Sequence, residues 1–209
     1  MRDDAPETED EGTVADTLRL FVAISLPDPV KDEIEKAQRQ LRSAFPGKLV
    51  RWTKREQFHL TLKFLGNVRQ SRVSELIPAL RETCMPLSEL QVCAEGMGFF
   101  PDARFPRVIW VGVRDHKNLL FRLHEVVEAG VARVIGGRPD KTFKGHVTLG
   151  RIERIRRQDA ETLAELVAPI SKLSFGEWTA NKIELIRSQL SSSGSRYTTL
   201  ATIPLCGKK

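Results

Sequence analysis

No stretch of this 209-residue chain stays apolar for the ~20 residues that a membrane-spanning helix needs. The N-terminus also has no apolar run of signal-peptide length. These absences argue for a soluble intracellular protein, expected in the cytoplasm, with no membrane contact. Cysteine is scarce: Cys84, Cys93 and Cys206 stand far apart, with neither disulfide nor metal-ligand spacing. Such an odd, scattered set fits reduced and mostly buried thiols. No cysteine has a histidine partner recognisable from spacing, which weakens any thiol-nucleophile reading. Histidine is nearly as rare, with four residues in the whole chain.

Acidic residues are depleted everywhere except at the start. Residues 1–16 carry Asp3, Asp4, Glu7, Glu9, Asp10, Glu11 and Asp16 against one base, Arg2, whereas the whole chain has a formal charge of +6. The remainder is therefore strongly basic, and a polyanion is the partner such a surface favours, nucleic acid first. The opening segment is charged and poor in apolar residues, so it is expected to be a disordered acidic tail. Residues 17–209 have the length and apolar content of a single domain built as two small lobes, and nothing in them requires a partner protein; a monomer is expected.

Two of the four histidines fall in the same short frame, His59-Leu60-Thr61-Leu62 and His146-Val147-Thr148-Leu149. Strict alternation makes each copy a strand. Side chains at i and i+2 share a face, so each strand turns two aliphatics to a core and shows one imidazole and one hydroxyl on the other side. On that alternation Phe58, Leu60, Leu62 and Phe64 face the core, and His59, Thr61 and Lys63 face out together, with Gly66 closing the strand.

Around these strands the pattern predicts a buried strand over 18–26 and a helix after Pro27, capped by Asp28, with Val30, Ile34, Ala37 and Leu41 on its apolar face. Further helices are expected over about 70–84 (kinked at Pro78), 117–135 and 158–173. Strands are expected over 87–97, 107–113, 142–152, 183–190 and 197–204, the last two flanking a turn at residues 191–195. The order predicts an α+β fold of two pseudo-symmetric lobes. Each is a small, mostly antiparallel sheet with helices on its outer side, and the two motif strands face a shared cleft.

Two imidazoles across a cleft suit general acid–base catalysis, because one ring can be neutral while the other is charged near pH 7. Thr61 and Thr148 would donate to phosphate oxygens beside the rings. Lys63, Lys144 and Arg151 are nearby cations able to steady a phosphate. Arg151 is out of phase with His146 in a straight strand, so Gly150 or the strand end would have to turn it into the cleft. His116 and His124 have no motif and read as structural. A catalytic metal usually needs three or four ligands; the motifs supply two histidines and no nearby carboxylate, so neither metal nor other cofactor is expected.

The paired motifs resemble those of the two-histidine phosphoesterases, and most closely the RNA 2′,3′-cyclic phosphodiesterases, also known as 2′-5′ RNA ligases. Arg19 to Ile24 with Leu26-Pro27, Val50-Arg51-Trp52, His59 to Gly66, Phe99 to Val113, His146 to Arg151, and Ser188, Leu190, Gly194 and Tyr197 are all similar to that family, in order. Gly145 stands where the family usually has proline and Gly150 where alanine is common, and both are expected to loosen the backbone near His146. The resemblance implies an enzyme that opens the terminal 2′,3′-cyclic phosphate of RNA to a 2′-phosphomonoester, with reversible 2′-5′ RNA ligation as a further activity. His59 would protonate the departing 3′ oxygen and His146 would activate water. Thr61, Thr148 and Arg151 would hold the phosphate. The same acid–base pair would also serve a small cyclic nucleotide or a tRNA-splicing by-product, and a non-catalytic RNA-binding module is the reading from a different class.

An acidic tail has no use in an anion-binding site. Deleting residues 2–16 is therefore expected to leave turnover intact and to strengthen RNA binding modestly at low salt, measured as a Kd. Loss of activity in a truncation that still folds would contradict this.

Overall fold

The computed structural model describes residues 16–45, 47–140, 142–191 and 194–207. Residues 1–15 of the expected tail, and Ser192 and Ser193 of the expected turn, lie outside the described residues. In chain order the elements are β1 (Thr17–Ser25), α1 (Asp28–Ala44), β2 (Val50–Trp52), β3 (His59–Arg69), α2 (Val73–Cys84), β4 (Leu90–Phe100), β5 (Val108–Arg114), α3 (Leu119–Ile135), β6 (His146–Ile152), α4 (Arg157–Val167), β7 (Ser174–Ala180), β8 (Lys182–Ser191) and β9 (Gly194–Pro204). No helix among the described residues is long and apolar enough to cross a membrane. Cys84 and Cys93 are buried and Cys206 is exposed, all as free thiols.

The strands lie in the order β7-β4-β5-β6-β3-β1-β8-β9, with β2 beside β6, and their pairings are antiparallel. The expected α+β architecture of two lobes is present, with the lobes continuous through one sheet. β3, β1, β8 and β9 form one lobe; β6, β5, β4 and β7 form the other. They meet at β3 and β6, the two motif strands, through the register pair Leu60↔Val147. β4 belongs to the first half in sequence yet pairs with β5, and β8, from the second half, pairs with β1.

The helices cover one face of this sheet, and their apolar stripes are those the spacing predicts. Val30, Ile34, Ala37 and Leu41 of α1, and Leu120, Leu123, Val127 and Val131 of α3, are buried in one core with Leu60, Leu62, Val147 and Leu149. Each long helix lies beneath the other half. Gln38 of α1 bonds the β6 backbone at Leu149, and His124 of α3 bonds the β3 backbone at Leu62. Asp28 is the first helical residue of α1 rather than its cap. Pro27 holds the cap position, its extended carbonyl accepting from Val30 and Lys31, while the Asp28 carboxylate lies 3.0 Å from Arg55 Nη2. α2 runs unbroken through Pro78. β7 escapes the alternation rule because its ladder with β4 is irregular at Ala94/Glu95, opposite Gly176 and Ser174.

Both motif strands carry a β-bulge at the same place. Thr61 pairs with Ala23 and Lys63 with Val22, leaving Leu62 without a partner on β1. Thr148 pairs with Trp110 and Gly150 with Ile109, leaving Leu149 without a partner on β5. An extra residue reverses the alternation beyond it. Phe64, expected in the core, is instead 60% exposed. Lys63, expected to face out with His59, turns to the helix side, with Nζ 2.6 Å from Glu128 and 3.0 Å from Asp140. β3 continues through Gly66 to Arg69, because Gly66 adopts φ +70° at a second irregularity instead of ending the strand.

The glycines flanking His146 are sites of close approach. A Cβ on Gly145 would lie 2.5 Å from the Val113 carbonyl oxygen, and one on Gly150 would lie 2.6 Å from Val50 Cγ1. Neither position has room for a side chain, which accounts for glycine where the family usually has proline or alanine. Leu60 is fully buried at the seam, so Leu60→Ala is expected to destabilise the protein by about 2–5 kcal/mol in chemical denaturation. A loss below ~1 kcal/mol would show that the seam relaxes around the cavity.

Candidate active site

Leu60 and Val147 face each other and both point into the core. Their neighbours along each strand therefore emerge together on the opposite face. That face carries His59 and Thr61 from β3 and His146 and Thr148 from β6, all lining one cleft of about 500 Å³. The β6 bulge turns Arg151 onto the same face, so all five residues singled out in the sequence share the cleft. A groove of about 580 Å³ elsewhere is lined by Leu87, Leu90, Leu119 and His116, among others; it holds neither motif.

The two imidazoles are held in the same way. His59 Nδ1 lies 2.7 Å from the Gln57 carbonyl oxygen, and His146 Nδ1 lies 2.8 Å from that of Lys144. A carbonyl only accepts, so Nδ1 carries the hydrogen in both rings and Nε2 is the nitrogen left to exchange a proton. The turn before His59, Arg55–Gln57, is tied down by Arg55, whose Nη2 lies 2.5 Å from Asp32 and 3.0 Å from Asp28 of α1. The Gln57 amide also donates to the Ser195 carbonyl across the cleft. Aromatic rings back both imidazoles: Phe21 at 4.8 Å and Tyr197 at 5.4 Å from His59, and Phe100 at 4.9 Å from His146.

Burial pushes the His59 imidazolium down to about 4, the Gln57 bond offsetting part of the shift and the charges of His146, Arg151 and Lys31 adding to it. Burial lowers His146 as well, with Lys144 acting upward through its backbone bond and the Arg151 and Lys144 charges acting downward. Both rings are therefore neutral near pH 7 while the cleft holds no anion. Tyr197 is raised by burial, so its hydroxyl keeps its proton.

Arg51 on β2 sits directly opposite Arg151 on β6, and both line the cleft. Like charges placed face to face in a ladder are unfavourable. Neither has a carboxylate within ion-pair distance among the described residues. That arrangement is suited to an anion between them. Among the described residues, no carboxylate or thiol lines the cleft, so its donor set falls short of an ordinary metal site. His124, Glu128 and Asp140 place their donor atoms within 4.8 Å of one another on the helix side. The Lys63 ammonium already compensates both carboxylates there.

Several cleft residues had no assigned role in the sequence reading. Arg51, Gln57, Phe64, Leu190 and Tyr197 all line the site. Arg51, Leu190 and Tyr197 lie within stretches of family resemblance, and that is their only signal in the sequence. Phe64 carried a misleading one, because its hydrophobicity fits the core phase of a straight strand. Lys144 stays near His146, but its ammonium lies over the Trp110 ring at 4.2 Å and the Phe100 ring at 5.4 Å. Aromatic faces therefore hold that cation.

A family model described as LigT like phosphoesterase matches the chain twice in succession, over residues 24–110 and 111–197. The chain belongs to the LigT-like phosphoesterase family. The RNA 2′,3′-cyclic phosphodiesterase of Aquifex aeolicus is 33% identical over 191 residues, covering 91% of this chain and 98% of that one. A Thermus thermophilus protein of known crystal structure superposes with a TM-score of 0.76 at 28% identity, covering 92% of this chain and 100% of that one. E. coli LigT, crystallised with 3′-AMP, superposes with a TM-score of 0.71 at 23% identity over 90% of this chain and 98% of its own, a likeness of fold. The paired model matches fit the two-lobed build of this LigT-like phosphoesterase.

Histidine NMR titration of this LigT-like phosphoesterase is expected to give an apparent midpoint near 4 for His59 and one below 6.5 for His146. Saturating inorganic phosphate should move both upward, because an anion favours the imidazolium. A midpoint at or above 6.5 for His59 in the free protein would overturn the desolvation account.

Proposed function

We propose that this LigT-like phosphoesterase hydrolyses the terminal 2′,3′-cyclic phosphate of RNA to a 2′-phosphomonoester, with His59 and His146 as a metal-independent acid–base pair. The observation that carries the reading is the twofold repetition around one cationic cleft: two imidazoles, each with Nδ1 engaged and Nε2 left to exchange a proton, beside the opposed Arg51 and Arg151. The activity named for the Aquifex aeolicus relative agrees with it.

In this mechanism His146 Nε2 takes a proton from water as its oxygen attacks phosphorus. The bond from phosphorus to O3′ breaks, and His59 Nε2 delivers a proton to O3′, leaving the phosphate on O2′. The Thr61 and Thr148 hydroxyls donate to the non-bridging oxygens, and Arg151 balances the charge that builds there. With a 5′-hydroxyl in place of water, the same transfers form a 2′-5′ phosphodiester, the ligation reaction. His59 acts as the acid only after gaining the proton its burial disfavours. The substrate phosphate offsets the Arg151 and Lys31 charges that oppose protonation, so substrate and proton bind together.

The test is turnover of an RNA ending in a 2′,3′-cyclic phosphate, with the product phosphate located on the ribose. His59→Ala and His146→Ala are each expected to lose on the order of 10²–10⁴-fold in rate. The double variant should lose far less than the product of the two. Thr61→Ala and Thr148→Ala should lose less than either histidine variant, His116→Ala little, and EDTA should have no effect. The profile against pH should be bell-shaped. Its alkaline limb should lie at lower pH in kcat/KM, set by the free enzyme, than in kcat, set by the complex. Near-normal turnover by either folded histidine variant, or loss in EDTA restored by one divalent ion, would refute the mechanism.

A further inference from the structure

Among the described residues, two buried residues have polar side chains of the amide or imidazole kind: Gln38 at 7% exposure and His124 at 4%. They come from different helices and sit under different lobes, yet both bond the same kind of atom. Gln38 Nε2 lies 2.8 Å from the Leu149 carbonyl oxygen and 2.8 Å from that of Thr53. His124 Nδ1 lies 2.9 Å from the Leu62 carbonyl oxygen, so the ring donates from Nδ1. Leu149 and Leu62 are the residues bulged out of the ladders with β5 and β1, each three positions beyond its motif histidine.

A bulge takes a residue out of the ladder, and a buried carbonyl cannot turn to water instead. Both bulge side chains are buried in the core. The donors reaching these carbonyls from the helices therefore favour the bulged register over a regular one. Restoring the regular register would shift the strand by one residue and reverse every side chain beyond it. On β6 that would carry Arg151 from the cleft to the helix side. On β3 it would do the same to Phe64, the residue at the corresponding position of the other motif.

We propose that Gln38 and His124 are positioning residues for catalysis: by bonding the bulge carbonyls of Leu149 and Leu62 they hold Arg151 and Phe64 in the cleft. Gln38 acts on phosphate binding through Arg151. His124 acts on the wall of the cleft through Phe64, which stands 6.0 Å from Phe21, the ring against His59. Thr53 N also donates to the Leu149 carbonyl, at 2.8 Å, so loss of Gln38 weakens the hold on Arg151 without removing it. The proposal rests on the proposed phosphodiesterase reading for its kinetic readout.

Gln38→Met keeps the length and apolar bulk of the side chain and removes the donor. It is expected to raise KM for the cyclic-phosphate RNA about tenfold with a smaller change in kcat, a coupling of ordinary size for residues in one network. The affinity for inorganic phosphate, followed by NMR titration, should fall in parallel. In an Arg151→Ala background the same substitution should add less than about twofold, because its target is gone. His124→Leu should multiply with Arg151→Ala without coupling, whereas His124→Asn, whose amide nitrogen can take the place of Nδ1, should recover most of the wild-type rate. A Gln38→Met protein that is less stable but keeps wild-type KM and phosphate affinity would overturn the proposal, as would full multiplicativity of Gln38→Met with Arg151→Ala. A wild-type protein that binds phosphate but turns over no cyclic-phosphate RNA would instead refute the phosphodiesterase reading; the phosphate titration would still judge the role of Gln38.

Discussion

The register pair Leu60↔Val147 is the constraint on which the site depends. It places two copies of one motif side by side, antiparallel, with their aliphatic sides in a common core. Everything chemical then appears on the other face without a loop to carry it. Rigid strands position side chains more closely than loops do. The backbone bonds from His59 to Gln57 and from His146 to Lys144 add the last degree of control, fixing each ring to the backbone two residues before it.

Much of this was legible in the sequence because it rests on strict periodicity. The motif strands, the apolar faces of α1 and α3 and the two-lobed order all follow from spacings of two or of three to four residues. Five site residues could be named because they lie within or just after the repeat. What could not be read depends on interruptions of period. Nothing local marks Leu62 or Leu149 as residues that leave the ladder, so simple alternation assigns Phe64 and Lys63 to each other's faces and puts Arg151 out of phase. The exchange of helices between halves was equally hidden, since an apolar stripe says that a helix packs and not beneath which strand. Gln38 gave no signal at all: it reads as one more polar residue on an amphipathic helix.

The electrostatics of the cleft follow from the same scaffold. Facing arginines come from β2 and β6 because those strands pair, and the low proton affinity of both imidazoles comes from burial against aromatic rings. The free protein thus carries positive charge on the facing guanidinium groups and withholds it from the buried imidazoles. An anion between the arginines would offset their charge and so favour protonation of the imidazoles.

The crossing of the long helices has a consequence for how such a chain can be divided. α1 belongs to the first half in sequence and completes the backbone bonding of the second half's motif strand, while α3 does the reverse. β4 and β8 are likewise lent across the boundary. A fragment ending between β4 and β5 would leave the Leu62 carbonyl without its donor and present strand edges where β5 and β8 now lie. Two separate halves could satisfy those groups only by clasping each other, in the manner of domain-swapped subunits. The internal repeat is therefore an interlocked pair in one polypeptide, each half completing the other's sheet and backbone bonding.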